Sequence, residues 1–163
     1  MGKEREVFMR AFAIFLLGGA LTSFVCASAW AGKLPKDAVE LTAAEVKAIY
    51  SGKTGIYDVS SIYYASDGTT KGIFGKPKVT ATFKGTWSVS GNEMCAKNKP
   101  KGDPKIYRDC NKFWRSGKRI YDLWSVHYDG SKPDLKSGYV TTTVKKLKDG
   151  DLVAKKYAAA GGE

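Results

Sequence analysis

Cys95 and Cys110 stand fifteen positions apart, with Lys97, Lys99, Lys101, Lys105 and Arg108 between them and Trp114 just beyond. Two cysteines can close a disulfide or hold a metal. The single histidine, His127, and two cysteines do not complete a tetrahedral metal site without distant carboxylates, so a bridge is the expected chemistry. Closing a loop of that length stabilises a fold by roughly 3 kcal/mol. The five cations lie on a segment interrupted by Pro100, Gly102 and Pro104, which reads as an exposed loop tied at its ends. Such a loop offers phosphate or carboxylate groups a surface at reduced ordering cost. These cations and Trp114 are the candidate ligand-binding residues. No catalytic residue, metal ligand or cofactor is expected, and the chain reads as non-enzymatic.

Other residues invite chemistry less directly. His127 has no nucleophile placed near it by sequence, and proton transfer needs a positioned partner. Asp122 shares a strand face with Ile120 and Trp124. If that face is inward, Asp122 is a buried carboxylate that needs a lysine or arginine partner or a raised pKa. Hydrolysis by paired carboxylates would need a second acid at a defined separation, and nothing singles one out among Asp58, Glu93 and Asp109. Trp87, Trp114 and Trp124 would make either a sugar-stacking platform or core, and their large area favours core. Gly52-Lys53-Thr54 has the ending of a phosphate-binding loop, but position 47 is lysine where that loop needs glycine.

These residues must be positioned by the part of the chain that remains after export. Lys3, Arg5 and Arg10 precede an apolar run over 11–21, and small residues then lead to Ala29-Trp30-Ala31. That order predicts a signal peptide over residues 1–31, cleaved after Ala31. The run is shorter than the ~20 residues that span a bilayer, so no transmembrane anchor is expected after cleavage. Cys26 is preceded by Phe24-Val25 rather than a small residue, which excludes a lipid-modified cysteine. A single β-rich domain is expected over 32–163, in the bacterial periplasm or secreted. The first 31 residues take three basic and two acidic side chains with them, leaving 24 basic and 14 acidic, a net of +10. A surface this basic points to anionic envelope partners, polysaccharide or lipid headgroups, and not to nucleic acid. Nothing in the sequence sets an oligomeric state.

One helix is expected at about 42–51, with Thr42 and Glu45 as a capping box, Val46, Ile49 and Tyr50 as its apolar stripe and Gly52 as its stop. Alone it would be marginal, so it must dock. Strands are expected from 54 to about 157. Asp67-Gly68, Gly91-Asn92, Ser116-Gly117 and Asp129-Gly130 supply turns. Residues 78–84 alternate, with Val79, Ala81 and Phe83 inward, and 119–127 carries bulk on both faces. A last hairpin is expected from 139–144 and 152–157. Short antiparallel strands at this spacing predict a mainly β fold, a small barrel or strongly curved, lipocalin-like sheet, with the helix over one open end.

The strings LTAAEVKAIYSGKT, YYASDGTTKG and GTWSVSG, the cysteine pair and KFWRSGKRIY, in that order, resemble the bacterial exported family catalogued as domain of unknown function 995. The likeness runs from about Leu41 to Tyr157. It implies a small secreted or periplasmic protein and supplies no site. Two functional expectations follow. The first is a non-enzymatic envelope protein that binds an anionic polymer through its basic surface. The alternative is a carrier of a small apolar ligand inside the barrel, although Ile120 and Trp124 are large enough to fill that interior themselves.

Overall fold

The computed structural model describes residues 32–162; the expected signal peptide lies outside them. Nine antiparallel strands form one curled sheet, an open half-barrel. They are β1 (Val39–Glu40), β2 (Lys53–Ile56), β3 (Ser60–Tyr64), β4 (Thr69–Phe74), β5 (Ala81–Ser90), β6 (Glu93–Pro100), β7 (Tyr107–Ser116), β8 (Arg119–Val126) and β9 (Leu147–Asp149). From β3 to β8 each strand pairs with the next, so short-range turns account for most of the topology. β9 pairs with β2, and β1 pairs with β7 beyond the end of β6.

Helix α1 (Ala43–Tyr50) begins as its residue types dictate. The backbone N–H of Thr42 donates to Glu45 Oε2 at 2.8 Å, and that of Glu45 donates to Thr42 Oγ1 at 3.3 Å. Arg115 reaches the same carboxylate at 2.9 Å. The Thr42 hydrogen bonds, with those of Arg115, hold the Glu45 carboxyl below its ordinary range. Val46 and Tyr50 are fully buried in a core with Leu41, Ile62, Tyr64, Trp87, Met94 and Phe113. Tyr50 meets Tyr64 and Phe113 edge-on at ring-centroid distances of 4.8 and 5.7 Å. The helix thus closes one end of the half-barrel.

The far end of the chain departs from expectation. Residues 152–157 are not a strand: α2 (Ala154–Ala159) occupies most of that stretch, after a 3-10 turn at Val144–Lys146 and the short β9. Alanines favour a helix there, and Asp151 Oδ1 accepts the N–H groups of Val153 and Ala154, as a cap would. Val153 and Tyr157 then pack on the convex face of the sheet with Ile73, Tyr63 and Val79. This small second core explains two further differences. Val79 precedes β5 and packs on the convex side, away from Phe83, and Thr82 is buried where a wet face was expected. Residues 139–144 form only two isolated bridges, Tyr139 with Gly32 and Val140 with Asp122, the latter pair exchanging both backbone hydrogen bonds at 2.9 Å. The segment continues to β9, so it runs from the β8 edge across the gap towards β2.

Candidate functional site

The expected cationic loop is mostly strand. Residues 96–100 belong to β6 and 107–109 to β7, leaving only 101–106 as the connection. Alternation then divides the candidates. Lys97, Lys99 and Arg108 lie on the convex face, where Lys97 pairs in register with Arg108 and Lys99 with Lys84. Lys101 donates to the Gly161 carbonyl at 2.6 Å, and Lys105 stands 4.9 Å from the Tyr107 ring centroid. Trp114 is six residues along β7 from Arg108 and packs edge-on against Tyr139 at 5.4 Å. The six candidates therefore do not converge. Lys84 was missed because its partner across the sheet is a matter of register. Lys84, Lys99 and Lys101 border a hollow of about 240 Å³ beside Tyr157 and Gly161.

Cys95 and Cys110 are bridged as expected, as a register pair of β6 and β7 with Cα atoms 4.1 Å apart. Glu93 is the third member of the only metal-sized group among the described residues, Glu93, Cys95 and Cys110. With both sulfurs in the bridge they are not thiolate ligands. Glu93 instead accepts from Ser125 Oγ at 2.6 Å.

The larger feature is the concave face, a cavity of about 850 Å³. Its wall comes from inward positions of β3 and β5–β8: Ser60, Ile62, Tyr64, Phe83, Asn98, Tyr107, Asp109, Asn111, Asp122 and Trp124. Residues 127–146 add His127, Tyr128, Asp134, Val140, Thr143 and Lys146. Gly72 lets the wall fold this tightly, because a Cβ there would overlap the Phe83 ring lying across it. Ile120 and Trp124 do not fill the interior. Ile120 packs against the α1 core, and Trp124 is 36% exposed at the rim, stacked on His127 at 4.1 Å. Of the three tryptophans considered, only Trp87 is buried core, its Nε1 donating to the Ala65 carbonyl at 2.8 Å.

Asp122 and Asp109, two of the three aspartates in this lining, form no ion pair among the described residues. Asp122 is 2% exposed. Thr143 Oγ1 donates to its Oδ2 at 2.8 Å, while Oδ1 is buried with no hydrogen-bond partner. Among the described residues no lysine or arginine bridges to it, contrary to the salt bridge expected for a buried acid. Burial pushes its carboxyl up to about 7, against the Thr143 hydrogen bond, which acts the other way. Burial also pushes Asp109 up to about 6. Three phenols feel the same environment. Desolvation raises Tyr57 to about 12 and lifts Tyr50 and Tyr64 well above their ordinary range, and the negative charge of Asp109 adds to all three.

His127 does acquire a partner that sequence did not place. Its Nε2 lies 2.9 Å from the Trp124 carbonyl and its Nδ1 2.6 Å from Ser131 Oγ. A carbonyl only accepts, so Nε2 carries a proton, and Nδ1 shares its hydrogen bond with the Ser131 hydroxyl. Ser131 is exposed on the Asp129-Gly130 turn and does not line the cavity. The contact orders the turn, with Asp129 accepting the Ser131 N–H at 2.9 Å.

A family described as "Protein of unknown function (DUF995)" matches residues 18–130, which include β1–β8 and helix α1. No curated protein and no solved structure matches the chain. Residues 131–162, which carry Thr143 and α2, lie beyond the matched stretch.

Proposed function

The chain belongs to the DUF995 family of proteins of unknown function, and from that premise we propose that it is an exported, non-enzymatic binding protein that holds a small, largely apolar ligand in its concave cavity. The observation that carries this reading is the cavity of about 850 Å³, walled by aromatic and aliphatic side chains with a few polar groups among them. Ligand sites occupy roughly 300–1,000 Å³ and have this composition. Export is supported by the Cys95–Cys110 bridge, since disulfides persist in oxidising compartments. Among the described residues no helix is long and apolar enough to cross a membrane.

The purified chain should bind the neutral apolar dye Nile red at one site, with a rise in its fluorescence. Ser60 is a small inward residue of the wall. Ser60→Trp should weaken dye binding at least tenfold while leaving the melting transition in place. Dye binding that is absent in the parent chain, or unchanged in a folded Ser60→Trp protein, would exclude the cavity as the site.

A second reading is favoured by the convex face. Lys84, Lys97, Lys99 and Arg108 are exposed there on three neighbouring strands, which fits an anionic polysaccharide or lipid headgroups. Converting these four to glutamine should lower retention on a heparin column more than the same change at four scattered lysines, such as Lys33, Lys118, Lys132 and Lys155. Equal losses from both sets would reduce the effect to net charge.

A further inference from the structure

We propose that the ligand of the concave cavity is a cationic amphiphile, an apolar body ending in a primary ammonium that is received by Asp122, with Asp109 further along the same wall adding negative charge. The inference rests on the cavity being a ligand site and goes further by specifying the ligand's charge. Asp122 is nine-tenths buried or more, lines the cavity, and leaves Oδ1 without a donor. Asp109 lines the same wall, and its carboxylate has no hydrogen-bond partner among the described residues. A buried carboxylate oxygen without a donor is costly, and an ammonium group supplies both charge and N–H donors.

The other charged and titratable groups around the cavity favour the same sign. Tyr57, Tyr64 and Tyr107 are phenols and supply no positive charge. Lys146 is bonded to Asp58 at 3.4 Å, and Lys105 stands over Tyr107. His127 has both nitrogens engaged, and Tyr128 is exposed at the rim. Asp134 adds a further carboxylate. An anionic ligand would meet the carboxylates of Asp122, Asp109 and Asp134 in the wall, and an uncharged hydrocarbon would leave Asp122 Oδ1 as it is. The chain is basic overall, yet the interior of its cup has the opposite sign.

The test compares decylamine, decanol and decanoate, which share one apolar body, by calorimetry on the full chain at pH 8. Decylamine should bind at least tenfold more tightly than decanol, with decanoate weakest. The decylamine preference should shrink towards pH 5 as the two carboxyls take up protons. Asp122→Asn and, separately, Asp109→Asn should each reduce the preference while decanol binding stays the same. Asp109→Asn keeps the test open should the buried substitution fail to fold. Decanol or decanoate binding as tightly as decylamine would overturn the inference and leave the cavity as a binding site. A preference that survives both substitutions would also overturn it. If none of the three compounds binds, the cavity reading falls with it.

Discussion

Thermal stability of this chain should rise as the pH is lowered from 8 to 4, and Asp122→Asn should remove the larger share of that rise. The folded-state pKa of Asp122 is about 7, above the ordinary value of 3.8. The folded chain therefore holds a proton that the unfolded chain has released, and stability falls as pH increases between those values. The penalty is absent below about 3.8 and complete above about 7. At 1.36 kcal/mol per pKa unit it amounts to about 4 kcal/mol for Asp122 and about 3 kcal/mol for Asp109. Carboxyls whose pKa is lowered, such as Glu45, Asp67 and Asp103, oppose this trend only at the acid end of the range. Asparagine keeps an acceptor for Thr143 but does not titrate, so the variant's melting temperature should depend much less on pH. Its gain at pH 8 should be smaller than the lost slope, because the new amide N–H groups also need partners. Parallel pH curves for the parent and the variant would show that Asp122 is not the titrating group.

Reducing the Cys95–Cys110 bridge should lower stability by about 3 kcal/mol, the entropy of a 15-residue loop in the unfolded chain. For a domain of this size that corresponds to a fall in melting temperature of about 10 °C. Cys95→Ser without reductant should match the parent chain with reductant, and reductant should leave the variant unchanged. Cys110 is fully buried while Cys95 is partly exposed, so serine at 95 can be hydrated and the comparison isolates the bridge. Equal melting of parent and variant in oxidising buffer would exclude a stabilising role. The bridge also holds the β6–β7 register directly beside Asp109, so its loss should be felt in the cavity wall.

The elements that were legible are those whose causes are local. Thr42 and Glu45 cap a helix through groups three residues apart, and the glycine turns at 68, 91 and 117 join neighbouring strands. Two elements were misread for a local reason. Pro100, Gly102 and Pro104 made 96–109 read as one loop, although the backbone ladder holds to Pro100 and resumes at Tyr107. Leu152 and Val153 gave 152–157 an apolar start that reads as strand, whereas the alanines and Asp151 build a helix.

The residue types alone determined the curved antiparallel β fold, the single N-terminal helix and the cysteine bridge, because hydrophobic period, turn chemistry and thiol count act over short distances or require no geometry. Only the tertiary structure decided that the basic side chains divide between faces and that the interior is hollow. Only it left Asp109 and Asp122 on the cavity wall without an ion-pair partner among the described residues. Those outcomes depend on strand register, on how far the sheet curls, and on residues 139–146 crossing from β8 towards β2 to bring Thr143 to Asp122. Positions so distant along the chain meet only after folding, and no local pattern encodes the encounter.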